Sequence, residues 1–321
     1  MKRNPLLPPL RSLVAEHESK QAKQESVGLK QQLEQTVEAL HRTRNVKPVQ
    51  FTPAAVRHLH GDKVRVIIPD THGAKVHKGA LESVLADIKA LHPDEIILMG
   101  DHVDCGGFLA LHHVMGYVAE TEYSYEHDVN AANAMLNAIQ EAAPGAKIEY
   151  IEGNHERRVE TWCITQTLRH AKDSEFLRKS FAPQFKLGLA ERGIPYYRQG
   201  EFYDGLAVPG VIKRGEIFFF HGFSAASHAT RATQAKVAGN CVFAHTHRQQ
   251  ADISRPMGTG VIGSWNPGCL CEIQPLWQHT RPTDWTHGYA VQLVSHTGKF
   301  LHLNIPIIEG ASLLTALLSR T

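Results

Sequence analysis

Residues 63–73 read Lys63-Val64-Arg65-Val66-Ile67-Ile68-Pro69-Asp70-Thr71-His72-Gly73. Positions 64–68 form a short, β-branched run, the pattern of a strand buried on both faces. A proline ends it, and Asp-x-His-Gly stands directly at its C-terminal end. The same arrangement recurs along the chain. Residues 96–99 lead into Gly100-Asp101-His102-Val103-Asp104-Cys105-Gly106, and residues 148–151 into Glu152-Gly153-Asn154-His155-Glu156-Arg157. Residues 217–220 lead into His221-Gly222, and residues 241–243 into Ala244-His245-Thr246-His247. Five apolar runs thus each release Asp, Asn or His at the edge where open α/β sheets bind ligands.

Between these runs the spacing predicts helices over 76–91, 109–118 and 129–142, the last closed by Pro144-Gly145, and a mostly helical stretch over 157–192. The βαβ order predicts a mainly parallel sheet with helices outside it. Further strands are expected at 260–262, 289–294 and 300–305, the last two flanking a hairpin signal at Ser295-His296-Thr297-Gly298.

Composition narrows the class. The 321 residues are 42% hydrophobic and 21% charged, which describes a globular chain and excludes a disordered one. A net charge of +2 supplies no field that marks nucleic acid as the partner. No apolar run is long enough to span a membrane, so no membrane partner is expected. The start, Met1-Lys2-Arg3-Asn4-Pro5, lacks the pattern of a secretory signal. Five scattered cysteines make no disulfide framework, and a reducing cytoplasm is the expected location.

The chain divides unevenly. Residues 1–62 carry 10 Lys+Arg against 6 Asp+Glu, while the remainder is slightly acidic. Residues 1–61 read as a basic arm, partly helical, with Leu29, Leu33, Val37 and Leu40 on one stripe and Gly28 interrupting the helix. The arm either lies on its own protein or serves a homo-oligomer. Residues 62–308 form the main domain and 309–321 a short tail.

The chemistry collects at the five strand ends. Residues i and i+2 of an extended chain point the same way, so Asp70 and His72 reach one ion and His245 and His247 a shared centre. Carboxylate, amide and imidazole together suit a borderline divalent metal rather than an all-oxygen calcium cage. Asp101 is suited to bridge two cations. Three other patterns are set aside. Gly258-Thr259-Gly260-Val261-Ile262-Gly263 matches a dinucleotide fingerprint, but Trp265-Asn266-Pro267-Gly268 blocks the helix it needs. Cys269-x-Cys271 lacks the second pair of a zinc site and reads as two buried thiols. Ser224 and Ser227 lie near His221, which serves a metal better than a nucleophilic serine.

The five blocks, from Asp70 to His247, closely resemble the pattern of the calcineurin-like metallophosphoesterases: Asp-x-His, Gly-Asp-x-x-Asp, Gly-Asn-His-Asp/Glu, a single His, and Gly-His-x-His. The resemblance implies a four-layer α/β/β/α sandwich of two facing mixed β-sheets with a dinuclear site at the strand C-terminal ends. By matched positions, Asp70, His72 and His247 would hold the first metal and Asn154, His221 and His245 the second. Asp101 would bridge them. His155 would lie near the leaving group, oriented by Asp104. Manganese is the first expectation for both ions, with iron, zinc, nickel and cobalt open.

Two departures stand out. Cys105 replaces the arginine that grips a phosphate dianion in many members of the family, and Ala244 replaces the glycine before His-x-His. The first favours a phosphodiester, of a nucleotide or nucleic acid, hydrolysed by hydroxide activated between the two metals with His155 as general acid. Arg157, Arg158, Arg231 and Arg248 adjoin motifs and are candidate phosphate contacts. Trp265 and Asn266 are candidate lining residues, and the 112–127 loop, with Tyr117, Tyr123 and Tyr125, is a candidate lid. A phosphomonoesterase, a non-catalytic binding module on the same fold and nucleic-acid binding led by the arm are the alternatives. Five of the 21 histidines thereby receive proposed roles.

Overall fold

In the computed structural model, which describes residues 19–21, 23–24, 26–28, 30–35, 62–105, 124–170, 174–258, 260–275 and 282–318, the chain divides into two units, Met1–Arg57 and His58–Thr321. In the first unit the described residues between 19 and 35 are helical and exposed. Gly28 is itself helical, where the sequence predicts a break in the helix. A glycine costs an exposed helix about 1 kcal/mol, which weakens it without ending it. Leu29, Val37 and Leu40 lie outside the described residues.

The second unit holds two mixed sheets. β1 (Lys63–Ile68), β2 (Glu95–Leu98), β3 (Lys147–Ile151) and β4 (Tyr196–Tyr197) are parallel neighbours. β5 (Ile212–Arg214), β6 (Ile217–Phe220), β7 (Asn240–Phe243), β8 (Gln249–Ser254) and β9 (Ile262–Pro267) form the second sheet in the order β5-β6-β7-β9-β8. β10 (Gly288–Val294), β11 (Phe300–Ile308) and β12 (Ala311–Ser312) return to the first sheet, whose order is β12-β11-β10-β1-β2-β3-β4. β10 pairs antiparallel with β1, so the first sheet is half antiparallel rather than mainly parallel. The hairpin at 295–298 joins β10 to β11 as its turn signal predicts.

Period-two alternation along each strand decides the layers. Val66, Ile68, Ile96, Leu98, Ile148 and Tyr150 pack into one apolar cluster. That cluster includes Val84 and Ile88 of α1 (Lys78–Leu91) and Leu136 and Ile139 of α2 (Tyr125–Ala142). The intervening Ile67, Ile97 and Ile151 meet Ile217 and Phe219 of β6 and Val242 of β7, so the sheets face one another. Phe220, Cys241 and Phe243 form a third cluster with Ala229 of the helix over the second sheet. Strands buried on both faces explain the continuous apolar runs. The four-layer expectation therefore holds.

The helical stretch expected over 157–192 is three helices: α3 (Asn154–His170), α4 (Ser174–Phe181) and α5 (Pro183–Lys186). α6 (Ala229–Val237) follows β6, and α7 (Leu313–Leu318) closes the chain. β9 begins at Ile262, inside the glycine-rich 258–263 segment, and runs on to Pro267, so a strand stands where the dinucleotide fingerprint needs a helix. The helix expected at 109–118, and Tyr117 and Tyr123 of the expected lid, lie outside the described residues. Tyr125 opens α2, its hydroxyl donating to the Phe181 carbonyl at 2.5 Å, and packs against the helix-side cluster.

Candidate metal centre

Five strand ends meet between the two sheets. His247 Nε2 lies 2.8 Å from Asp70 Oδ2 and 3.2 Å from His72 Nε2, which joins the loops after β1 and β7. On the other side, His221 Nε2 lies 3.1 Å from Asp101 Oδ2 and 2.9 Å from Asn154 Oδ1. The rings of His221 and His245 are 5.1 Å apart. His155 Nε2 lies 3.8 Å from Asp101 Oδ2. Asp101 is therefore common to two groups of donors whose ligating atoms lie within 4.8 Å of one another: His72, Asp101 and His155, and Asp101, His221 and His245.

The backbone that delivers these groups is bent rather than extended. His72, Asp101, Cys105, His245 and His247 all take positive φ, between 51° and 70°. Such conformations cost of order 1 kcal/mol or more each in non-glycine residues and collect at functional sites. They correct the i,i+2 argument. A tight turn, with Thr246 N–H donating to the Ala244 carbonyl at 2.8 Å, sends His247 toward Asp70 and His245 toward His221. Two motif glycines are required by close approach. A Cβ on Gly100, at φ 94°, would lie 2.5 Å from the Gly153 backbone nitrogen, and one on Gly153 would lie 2.1 Å from Asp101 Oδ1.

Each donor has a supporting partner. His221 Nδ1 bonds the Met99 carbonyl at 2.9 Å, which turns Nε2 to the centre. His72 Nδ1 bonds Asp104 Oδ1 at 3.0 Å. Asp104 thus spends its carboxylate on His72, while its backbone carbonyl accepts from His155 Nδ1 and its carboxylate stands 3.7 Å from that atom. The two histidines divide what was expected to serve His155 alone.

The electrostatics call for cations. Asp70 and Asp101 are almost fully buried, and among the described residues their ion partners are imidazoles only. Burying two carboxylates costs several kcal/mol unless positive charge meets them. Burial works against charge on every group, but the imidazole of His247 still holds Asp70 down at about 2. Burial likewise opposes charge on His72 and His221, yet Asp104 lifts the first to about 9 and Asp101 lifts the second to about 10. His155 lacks a dominant partner, and burial pulls it down to about 4. These donors fit a pair of divalent cations, which would replace the protons that the imidazoles hold.

Two acidic residues outside the expected set hold the loops in place. Glu156, fully buried, accepts from the backbone N–H groups of Asp101 (2.9 Å), His102 (2.8 Å) and Gly153 (3.0 Å) and from the Tyr150 hydroxyl (2.7 Å). Its side chain welds the second motif to the third. Asp128, from the first turn of α2, accepts from Ala74 N–H at 3.0 Å and Cys105 N–H at 2.9 Å, tying the first motif to the second. Glu156 was readable as the fourth residue of Gly-Asn-His-Glu. Asp128 carries no signal, since only folding brings it to the site.

The expected substrate contacts are corrected. Asn266 is fully buried and spends its amide on the Ala244 carbonyl (2.7 Å), Thr246 Oγ1 (3.0 Å) and Gly268 N–H (3.0 Å). It braces the His245–His247 turn. Trp265 stacks on His302, away from the centre. Arg248 is held by Asp284 at 2.8 Å and by the Ala225 and Ala226 carbonyls. Arg157 stands 3.6 Å from Glu152, and Arg231 is exposed on α6. Cys105 is fully buried, and burial keeps its thiol protonated. Arg158 differs from the rest. It lies one helical turn from Asn154 and His155, within electrostatic reach of Asp101 and Asp104, and its Nη1 is buried without a hydrogen-bond partner.

Two mixed sheets carrying Asp, Asn and His at their C-terminal edges define a metallophosphoesterase architecture. The calcineurin-like phosphoesterase family matches residues 65–274, well over half of the chain, and the chain belongs to that family. Membership supports metal-dependent hydrolysis of phosphoesters. No curated protein matches the sequence. Among solved structures, a single mutant of Vps29 from Entamoeba histolytica is 11% identical, covering 78% of this chain and 95% of its own, with a TM-score of 0.37. Vps29 from Cryptosporidium parvum is 12% identical, covering 78% and 94%, with a TM-score of 0.34. TT1561 of Thermus thermophilus is 13% identical, covering 75% and 98%, with a TM-score of 0.31. No helix among the described residues is long and apolar enough to cross a membrane.

Proposed function

We propose that this chain is a dinuclear metal-dependent phosphodiesterase. The observation that carries the reading is the pair of donor clusters sharing buried Asp101, whose close ion pairs among the described residues are with imidazoles. Asp70, His72 and His247 would hold one ion, Asn154, His221 and His245 the other, with Asp101 between them. Two divalent cations so held would supply an acidified water as nucleophile and positive charge for the phosphoryl oxygens.

The chain's own groups do the rest. His155 donates Nδ1–H to the Asp104 carbonyl, leaving Nε2 directed at the centre as the atom that carries a proton to the leaving oxygen. Its free-state value near 4 means that the anionic substrate must raise it before it acts as an acid. Burial of Cys105 where a dianion-gripping arginine would stand supports a monoanionic diester over a monoester. Arg158 is the cation we assign to such an ester, and a nucleotide or nucleic-acid diester is the substrate class. Residues 62–308 would constitute the catalytic domain and the arm an accessory segment. Five buried cysteines, none in a disulfide among the described residues, support a reducing cytoplasmic setting.

The test is reconstitution with each first-row divalent ion, followed by assay on bis-p-nitrophenyl phosphate beside p-nitrophenyl phosphate. Higher kcat/KM on the diester is expected. Preference for the monoester overturns the diester assignment and favours a phosphomonoesterase at the same centre.

A further inference from the structure

Cys269 and Cys271, set aside in the sequence for want of a second cysteine pair, fold against the metal centre. Cys271 Sγ belongs with the nitrogens of His72 and His247 to a third group of donors, all within 4.8 Å of one another and all buried. The position is rigidly built. Leu270 N–H donates to the Asp70 carbonyl at 2.8 Å, His77 N–H to the Leu270 carbonyl at 2.8 Å and Glu272 N–H to the Lys75 carbonyl at 2.9 Å. His287 Nε2 bonds the Cys271 carbonyl at 2.8 Å. These bonds run the 269–272 segment alongside the 70–77 loop, so Cys271 is fixed on the side of the centre that His72 and His247 line. His247 is itself buried, and its Nδ1 has no hydrogen-bond partner among the described residues.

We propose that Cys271 is a thiolate ligand of the ion held by Asp70, His72 and His247, and that it makes this half of the centre select a softer metal. Metal–nitrogen bonds of about 2.0–2.1 Å and a metal–sulfur bond of about 2.3 Å place donor atoms at most about 4.4 Å apart. At a tetrahedral angle the same bonds put nitrogen and sulfur about 3.6 Å apart, so a pair at the 4.8 Å limit must close by about 1 Å through side-chain rotation. On binding, the thiol loses its proton to solvent and sulfur donates an electron pair to the cation. One thiolate beside imidazole and carboxylate favours zinc, iron or cobalt over manganese, whereas the Asp101–His221–His245 half keeps only nitrogen and oxygen donors. Cys269, whose Sγ lies 3.7 Å from the Thr286 carbonyl and whose side chain hydrogen-bonds that of Cys271, is the contrast position, where serine keeps a hydrogen-bonding group.

The inference rests on the dinuclear reading but is tested without turnover. Cobalt-loaded wild-type protein should show a sulfur-to-cobalt charge-transfer band in the near ultraviolet. Cys271→Ser should abolish it and Cys269→Ser should retain it. Zinc-edge X-ray absorption of the wild type, which needs no variant to fold, should show one sulfur at about 2.3 Å on one of two zinc ions. In competition dialysis against equal zinc and manganese, Cys271→Ser should lose zinc preference by about tenfold or more, the least expected when a metal's surroundings lose a partner. Two cobalt ions bound with no charge-transfer band, or a purely nitrogen and oxygen shell, overturns the role of Cys271 and leaves the dinuclear reading standing. Failure to bind cobalt or zinc at all overturns both.

Discussion

Asp128 offers the sharpest check on how the centre is held. It is fully buried, 54 residues from Ala74 and 23 from Cys105, and each carboxylate oxygen accepts one backbone N–H from a different motif loop. In Asp128→Asn one oxygen becomes an NH2 group of almost the same size. Whichever way the amide turns, it points hydrogens at either the Ala74 or the Cys105 N–H. One charge-assisted bond is lost and one buried donor is left unpaired, a cost of about 2 kcal/mol within a range of roughly 1–3. For a body of this size that lowers the melting temperature by roughly 4–8 °C. Because the two loops carry His72 and Asp104, metal affinity should fall as well, by about 10–100-fold. Thermal melting of the metal-free protein and titration with zinc measure the two effects separately. A metal-free melting curve that overlays the wild type would refute the reasoning, since it would mean that the two loops need no acceptor from α2.

Four further outcomes are expected. His155→Ala should keep both metals and lose about 10²–10⁴ in turnover on a diester with a poor leaving group, while losing little on a nitrophenolate ester; equal loss on both would remove the proton-transfer role. Asp101→Asn should bind at most one metal per chain by elemental analysis, and two retained ions would sink the bridging assignment. His72 and His221, held near 9 and 10, are protonated at neutral pH in the metal-free protein and must give up those protons to ligate. Metal uptake should therefore release about two more protons per chain to an indicator dye at pH 7 than above pH 10, where both imidazoles are already neutral. The sign for stability follows: both values are raised on folding, so their contribution is full below about pH 6.5 and is lost as pH rises through 9–10. The metal-free protein should melt lower at pH 10 than at pH 7, and a melting temperature that rises over that interval contradicts the assignment.

Much of the centre was legible before folding because strand ends announce themselves. A β-branched run, a glycine and a donor residue are local features, and each of the five blocks lies within a few residues of its strand. The same locality makes β1–β3 and the hairpin between β10 and β11 readable from periodicity and turn residues. Local pattern could not show that β10 pairs antiparallel with β1 across more than two hundred residues, because register depends on which faces are already buried. Nor could it separate a positioning role from a substrate contact. Asn266, Arg248 and Arg157 look alike as polar residues near motifs, and only their partners distinguish them.

The sequence by itself therefore determined the class of chemistry: which donor types stand at strand ends, and that an imidazole-rich set with few oxygens suits a borderline divalent ion. Tertiary structure alone decided how those donors are braced. It divided Asp104 between His72 and His155, turned the Glu156 and Asp128 carboxylates onto the motif loops, and set Cys271 beside His72 and His247. The physical reason is that ligation and support act through space over a few ångströms. The groups concerned lie far apart along the chain, His247 being 177 residues from Asp70, a separation that only the closing of two sheets onto one another removes.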